Sequence, residues 1–217
     1  MAERTRSQRL TRLADSYLYV CTPARTDLET FATSVTAAGV DALQVREKGV
    51  EARAELALIA LVAEGVRTHG ALLSVNDRAD LAVLAGADIL HVGQGDLSPA
   101  DARRVVGPEM LIGLSTHTPE QAHDAANDPD VDYFCAGPVY ATPTKPGRPA
   151  VGLAQIRAAA EVANGKPWFA IGGIDLSNLD DVMAAGALRV VVVRAVTGAA
   201  DPEKAAIELR NRLRAPR

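Results

Sequence analysis

Acidic, basic and amide side chains recur in this chain at one kind of place, directly after a short apolar run. Asn76 and Asp77 follow LLSV at 72–75, and Gly93-Gln94-Gly95-Asp96 follows ILHV at 89–92. Between them lies an apolar-periodic segment with Leu81, Val83 and Leu84, ended by Gly86, a residue that closes a helix without a Cβ penalty. Strand, helix and strand in about 25 residues is the size of a βαβ unit. Parallel strands joined this way end at one edge, and neighbours lie about 4.8 Å apart. Asp77 and Asp96 are therefore expected on one rim, within reach of a single hard cation. Two carboxylates suit Mg²⁺, which keeps waters or phosphate oxygens in its other positions.

Other run ends add Gln44, Arg46 and Lys48, then Ser115 and His117, then Thr142, Thr144 and Lys145, then Gly172 and Gly173. Arg46, Lys48 and Lys145 would neutralise phosphate oxygens that a metal does not, since charge-assisted hydrogen bonds are the strong ones. Asn76 adds an amide donor without charge. The glycines of AIGGI at 170–174 let backbone N–H groups approach an anion at a helix start. Each signal has a plainer reading. An acid after a strand caps a helix, an isolated lysine is solvated, and a glycine pair reverses the chain. Two acids, at least three cations and several hydroxyls at the same kind of position exceed what capping explains. Together they point to an anionic substrate carrying more than one phosphate. Among the histidines, His91 lies inside an apolar run and reads as a satisfied core or barrel-lining residue. His117 suits acid–base work or turn capping equally, and His69 and His123 read as helix-surface residues. Nothing has zinc-ligand spacing.

Such residues need a frame that gathers strand ends. Eight strand-like runs, at 16–21, 42–46, 71–75, 89–93, 111–115, 132–137, 168–172 and 189–193, alternate with segments of helical apolar spacing. Those segments fall near 27–38, 51–68, 78–85, 98–106, 118–126, 152–163, 175–185 and 201–214. Ser98-Pro99 and Thr118-Pro119 place a hydroxyl before a proline at a helix start, and Asp175 and Asp201 are similar capping candidates. AAGVDALQV, LAGADILHV and AAGALRVVV begin 47 and 100 residues apart, about two and four copies of a 24–25-residue unit. The chain is read as α/β: a single (β/α)8 TIM barrel over 16–217, with a short N-terminal helical extension over 1–15. An open doubly wound sheet is the alternative, because strand order is not written in the sequence. The one long connection, PVYATPTKPGRPA at 138–150, follows the sixth strand and is expected at the rim, where long loops are commonly functional.

Composition narrows the partners. With 23 basic and 27 acidic residues the net charge is −4, against a broad nucleic-acid-binding face. No apolar run approaches the roughly 18 residues of a membrane span. The first residues lack the apolar centre of a secretory signal; their arginines would suit a transit peptide, but Glu3 and Asp15 argue against it. Cys21 and Cys135 lie in separate strand-like runs and read as reduced core thiols. The expectation is a cytoplasmic protein acting on small phosphorylated molecules, with no nucleic-acid or membrane partner and with homo-oligomerisation left open.

QVREK at 44–48, NDRADLA at 76–82, HVGQGDL at 91–97, GLSTH at 113–117, GPVYATPTKPG at 137–147 and AIGGI at 170–174 resemble thiamine-phosphate synthase, in order and over nearly the whole barrel. The resemblance implies a Mg²⁺-dependent transferase joining a pyrimidine diphosphate to a thiazole phosphate. It assigns Gln44, Val45, Arg46, Glu47, Lys48, Asn76, Ser115 and Lys145 to the pyrimidine diphosphate, with Arg46, Lys48, Ser115 and Lys145 in catalytic roles. Asp77 and Asp96 would bind the metal. Thr142, Pro143, Thr144, Gly172, Gly173, Val193 and Arg194 would hold the thiazole phosphate. One position departs from the pattern: the family commonly carries a serine where this chain has Arg194. Two rivals remain, a thiazole tautomerase of the same superfamily and a catalytically silent sensor. Neither needs leaving-group activation, so the acid pair and the three cations favour the synthase.

Overall fold

The computed structural model describes residues 4–142 and 150–215. Eight parallel strands close into a barrel in chain order, with the last pairing back to the first. They are β1 (Leu18–Thr22), β2 (Ala42–Val45), β3 (Leu72–Asn76), β4 (Ile89–Val92), β5 (Leu111–Thr116), β6 (Tyr133–Ala136), β7 (Trp168–Ile171) and β8 (Val190–Val192). The open sheet is thereby excluded. Between the strands run α2 (Leu28–Ala37), α3 (Ala52–Thr68), α4 (Ala79–Leu84), α5 (Pro99–Val106), α6 (Pro119–Asn127), α7 (Gly152–Val162) and α8 (Leu179–Ala184), and α10 (Pro202–Arg214) closes the series. A short helix that the apolar spacing does not announce, α9 (Arg194–Thr197), starts directly after β8.

The strands are continuous apolar runs because both of their faces are buried. One alternate set, including Tyr19, Ala42, Leu72, Ile89, Leu111, Tyr133, Phe169 and Val191, fills the barrel. The other, including Val20, Leu43, Val75, Leu90, Ile112, Phe134 and Val192, packs under the helices. This period of two decides which residues can reach the rim from inside. Helix starts follow the expected chemistry at Ser98, Thr118 and Asp201, whose side chains accept from the backbone N–H three residues on. Asp175 differs: it accepts from Ser177 N at 2.9 Å in the preceding turn, and α8 begins only at Leu179. No described helix is long and apolar enough to cross a membrane.

The opposite end is closed by α1 (Arg6–Ala14). Leu13 is fully buried against the barrel-filling side chains, a burial worth about 1.5–3 kcal/mol. Around it, aspartates immediately preceding β2, β4 and β6 face arginines of the N-terminal segment. Arg12 meets Asp41 at 3.0 Å, Arg4 and Arg9 meet Asp88 at 2.7 and 3.1 Å, and Arg6 pairs with Asp132. Each acid also accepts a backbone N–H from the preceding strand or its lead-in: Leu18, Leu73 and Ile112 at 3.1, 3.0 and 2.8 Å. The rim, at the other end, is left to the loops.

Candidate active site

Where β2, β3 and β4 end, four charged side chains converge. Asp77 and Asp96 face each other closely enough to share a side-chain hydrogen bond, and Lys48 Nζ lies 4.0 Å from Asp77 Oδ2. Burial pushes the Asp77 carboxyl above its ordinary 3.8, and the charge of Asp96 pushes it further, while Lys48 and Arg46 pull it down. Asp77 also has φ +60, a left-handed conformation rare for a residue with a side chain. It is pinned there: its N–H donates to His91 O at 2.9 Å, and Arg78 N donates to Asn76 O at 2.6 Å. Asp96 is oriented by Gly93 N, which donates to its Oδ2 at 2.7 Å. Two half-repelling carboxylates have the donor chemistry of a hard divalent-cation site. No group of three or more His, Cys, Asp or Glu side chains suited to a metal occurs among the described residues, so other ligands would be water and substrate oxygens.

Two adjoining clefts open at this rim. The smaller, about 50 Å³, reaches into the barrel between Gln44, Arg46, Asn76, His91 and Ser115. The larger, about 440 Å³, is bordered by Ser115, His117, Thr142, Gly172, Gly173 and Arg194. They share Ser115, Cys135, Ile171, Val191 and Val193 as a common wall. In the larger cleft, Gly172 and Gly173 have φ +106 and +67, and a Cβ on Gly173 would stand 2.8 Å from the Cβ of Tyr140. A Cβ on Gly172 would collide with Pro138. The glycines thus admit the segment after β6, which is zipped to β7 by Val139 N to Ile171 O and Tyr140 N to Gly172 O, at 2.9 and 3.0 Å. That zipper sets where Thr142 stands.

The structure sorts the remaining residues expected here. The side chain of Val45 lies in the core between sheet and helices, on the wrong face of β2 to meet a ligand; only its backbone is near the rim. Glu47 turns outward, its Oε2 accepting from Ala24 N at 2.8 Å. Pro143, Thr144 and Lys145 lie outside the described residues. His117 is held by its ring, with Nδ1 2.6 Å from Gly137 O. Gln94, not singled out from sequence, donates from Nε2 to Ser115 O at 2.8 Å and steadies the shared wall. Its one signal was its place among residues that follow β4.

Residues 18–196 match the family model described as thiamine monophosphate synthase. The chain belongs to the thiamine monophosphate synthase family. A thiamine-phosphate synthase of Acidothermus cellulolyticus is 57% identical over 206 residues, covering 94% of this chain and 97% of its own. One from Saccharopolyspora erythraea is 54% identical over 211 residues, covering 93% and 95%. Among solved structures, a thiamine phosphate pyrophosphorylase from Pyrococcus furiosus superposes with a TM-score of 0.82 at 30% identity, over 94% of this chain and 97% of that one. Family membership extends across every strand and across both clefts. It reaches Arg194 too, the exposed residue that opens α9 beside the glycine pair.

Proposed function

We propose that the two clefts take the two substrates of a thiamine-phosphate synthase, and that the shared wall at Ser115 is where they are joined. The enzyme is a transferase that condenses 4-amino-5-hydroxymethyl-2-methylpyrimidine diphosphate with 4-methyl-5-(2-phosphoethyl)thiazole, giving thiamine phosphate and diphosphate. The observation that supports the assignment of sites is an acid–cation cluster at the ends of β2 to β4, joined to the smaller cleft through Arg46, beside a glycine-lined cradle on the larger.

Gln44 and Asn76 would orient the pyrimidine, and Arg46, Lys48 and Lys145 its diphosphate. Asp77 and Asp96 would hold Mg²⁺. When bound, that ion supplies positive charge that makes diphosphate a better leaving group. The C–O bond to the diphosphate breaks with its electron pair leaving on oxygen, and the aminopyrimidine ring stabilises the resulting pyrimidinylmethyl cation. The thiazole nitrogen lone pair then forms the new C–N bond. Thr142, Pro143, Thr144, the Gly172–Gly173 backbone, Val193 and Arg194 would hold the thiazole's phosphate so that its nitrogen faces the cation. No protein nucleophile is needed. Preorganised charge of this kind is commonly the largest catalytic contribution, about 10²–10³-fold per donor removed. Buried thiols at Cys21 and Cys135 suit a reducing, cytoplasmic setting.

The test is one assay of purified protein with both precursors, with Mg²⁺ and with chelator. Equal amounts of thiamine phosphate and diphosphate, lost with chelator, are expected. Turnover that survives chelation would remove the metal from the mechanism.

A further inference from the structure

Ser115 belongs to both clefts, and its hydroxyl is tied to groups that run down into the barrel and take no part in the reaction just described. Its Oγ lies 2.9 Å from His91 Nε2, and His91 Nδ1 lies 2.9 Å from the Tyr133 hydroxyl. Ser115, His91 and Tyr133 are 6%, 8% and 0% exposed, so the line is largely shielded from solvent and meets the clefts only at its upper end. They come from β5, β4 and β6, three neighbouring strands, each at an inward-facing position. Room for the phenol is built in: a Cβ at Gly113 on β5 would overlap the Tyr133 ring. The ring is wedged edge-on against Phe169, with centroids 5.5 Å apart, and sits 5.6 Å from the imidazole.

A neutral imidazole donates from one nitrogen and accepts at the other, and the partner of one nitrogen fixes the role of the other. Burial holds the Tyr133 phenol well above its ordinary 10.0, so it keeps its proton. Two acceptors compete for that proton, His91 Nδ1 and the hydroxyl oxygen of Tyr19, which is also in hydrogen-bond contact with Tyr133. Tyr19 oxygen already receives Gln44 Nε2 at 2.9 Å while donating to Ser74 Oγ at 2.6 Å, and an imidazole nitrogen is a far stronger base than a phenol oxygen. Two donors likewise compete for the imidazole's lone pair, and a phenol is a far more acidic donor than the serine hydroxyl. Both comparisons favour Tyr133 O–H donating to Nδ1. The His91 proton then sits on Nε2 and donates to Ser115 Oγ.

We propose that Tyr133 and His91 are positioning residues that lock Ser115 as a hydrogen-bond donor toward the pyrimidine diphosphate, by holding the imidazole proton on Nε2. With its oxygen already receiving that proton, Ser115 directs its own O–H to the substrate. A serine hydroxyl is otherwise a free rotor, as able to accept as to donate. Fixing it in advance removes reorganisation at the moment the diphosphate departs. The proposal rests on the assignment of Ser115 to the pyrimidine site.

Two readouts on the full-length protein test it. Nitrogen-15 NMR of histidine-labelled protein, with His91 assigned by comparison with His91→Gln, should show Nε2 protonated and Nδ1 bare. Tyr133→Phe, which keeps the ring, should shift the proton toward Nδ1. A wild-type spectrum with the proton on Nδ1 overturns the proposal. In turnover, Tyr133→Phe should lower kcat about tenfold with KM little changed, less than the 10²–10³ of a deleted donor. In a Ser115→Ala background the same change should cost nothing more, because the relay has lost its target. An equal loss in both backgrounds would make Tyr133 a packing residue only. Wild-type turnover by Ser115→Ala would instead remove Ser115 from the pyrimidine site, and the relay's purpose with it, whichever tautomer the spectrum shows.

Discussion

Asp77 sits under two local constraints, a left-handed backbone and a facing carboxylate. Its φ of +60 is left-handed, a conformation that aspartate and asparagine tolerate better than other residues with side chains, and its carboxylate faces that of Asp96. Asn adopts left-handed φ more readily than most residues and carries no charge, so Asp77→Asn keeps the turn and removes the repulsion. Metal-free Asp77→Asn should be at least as stable as wild type, while Mg²⁺-dependent turnover falls by about 10²-fold or more. The pH dependence has a defined sign. Burial and Asp96 raise the carboxyl pKa above 3.8, so the folded state prefers the proton. The stability this contributes is present below 3.8 and is lost as pH rises through the raised value. In chelator, the stability advantage of Asp77→Asn over wild type should therefore widen from about pH 4 toward about pH 7. Thermal melts of both proteins across that range measure it. An advantage that narrows instead would mean that the two carboxylates do not face each other in the free enzyme.

At the scale of elements, strength and chemistry are kept at opposite ends of the barrel. The floor carries three aspartates clamped by the arginines of α1 and its lead-in, and Asp88 is the most enclosed of the shared pairs, with side chains of Asp88 and Arg9 9% and 5% exposed. Asp88→Ala leaves Arg9 buried without its partner and strips the Leu73 N–H of its acceptor. Breaking one side of a buried pair costs about 3–5 kcal/mol. A lower denaturant midpoint by that amount is expected, with kcat unchanged at temperatures where the variant is folded; a fall in kcat would show that floor and rim are mechanically linked. Much of this architecture was legible beforehand. Unbroken apolar strands, proline-preceded caps and a 24–25-residue rhythm (about two dozen residues per βα unit) specify the barrel through local physics. The rim acids and glycines were legible because strand ends are marked in the chain. The floor clamp was not, although Asp41 and Asp88 recur in the repeated GVD and GAD, because their partners lie 29 and 79 residues away on α1. The Tyr133–His91–Ser115 line was hidden for the same reason: its members are apolar-strand residues 42 and 24 positions apart. Val45 and Glu47 point elsewhere: a motif names consecutive residues, but Val45 falls on the outward face of β2, and Glu47, past the strand's end, is held outward by Ala24 N.

For the molecule as a whole, the decisive arrangement is two clefts separated by one wall, with charge of different origin on each side. On the side proposed for the pyrimidine, cations and acids cluster where β2, β3 and β4 end; on the side proposed for the thiazole, backbone glycines and Arg194 line the cleft. Such separation predicts separable kinetics. Arg194→Ala removes an exposed cation from the cradle without touching Asp77, Asp96 or Lys48. Hydrogen bonds to charged groups contribute about 1.5–3 kcal/mol, and exposure puts this one at the low end, so KM for the thiazole phosphate should rise about tenfold. KM for the pyrimidine diphosphate should stay put, and kcat at saturating thiazole should change little, because an interaction made equally in ground and transition states is uniform binding. Raising ionic strength should shrink the wild-type advantage, as it does for any exposed charge. Lys145→Ala, by contrast, should lower kcat, since its charge would matter most as diphosphate leaves. If Arg194→Ala raised the pyrimidine KM as strongly as the thiazole KM, the two clefts would be one undivided site. The shared wall at Ser115 would then be a contact surface for both substrates, with no boundary between them.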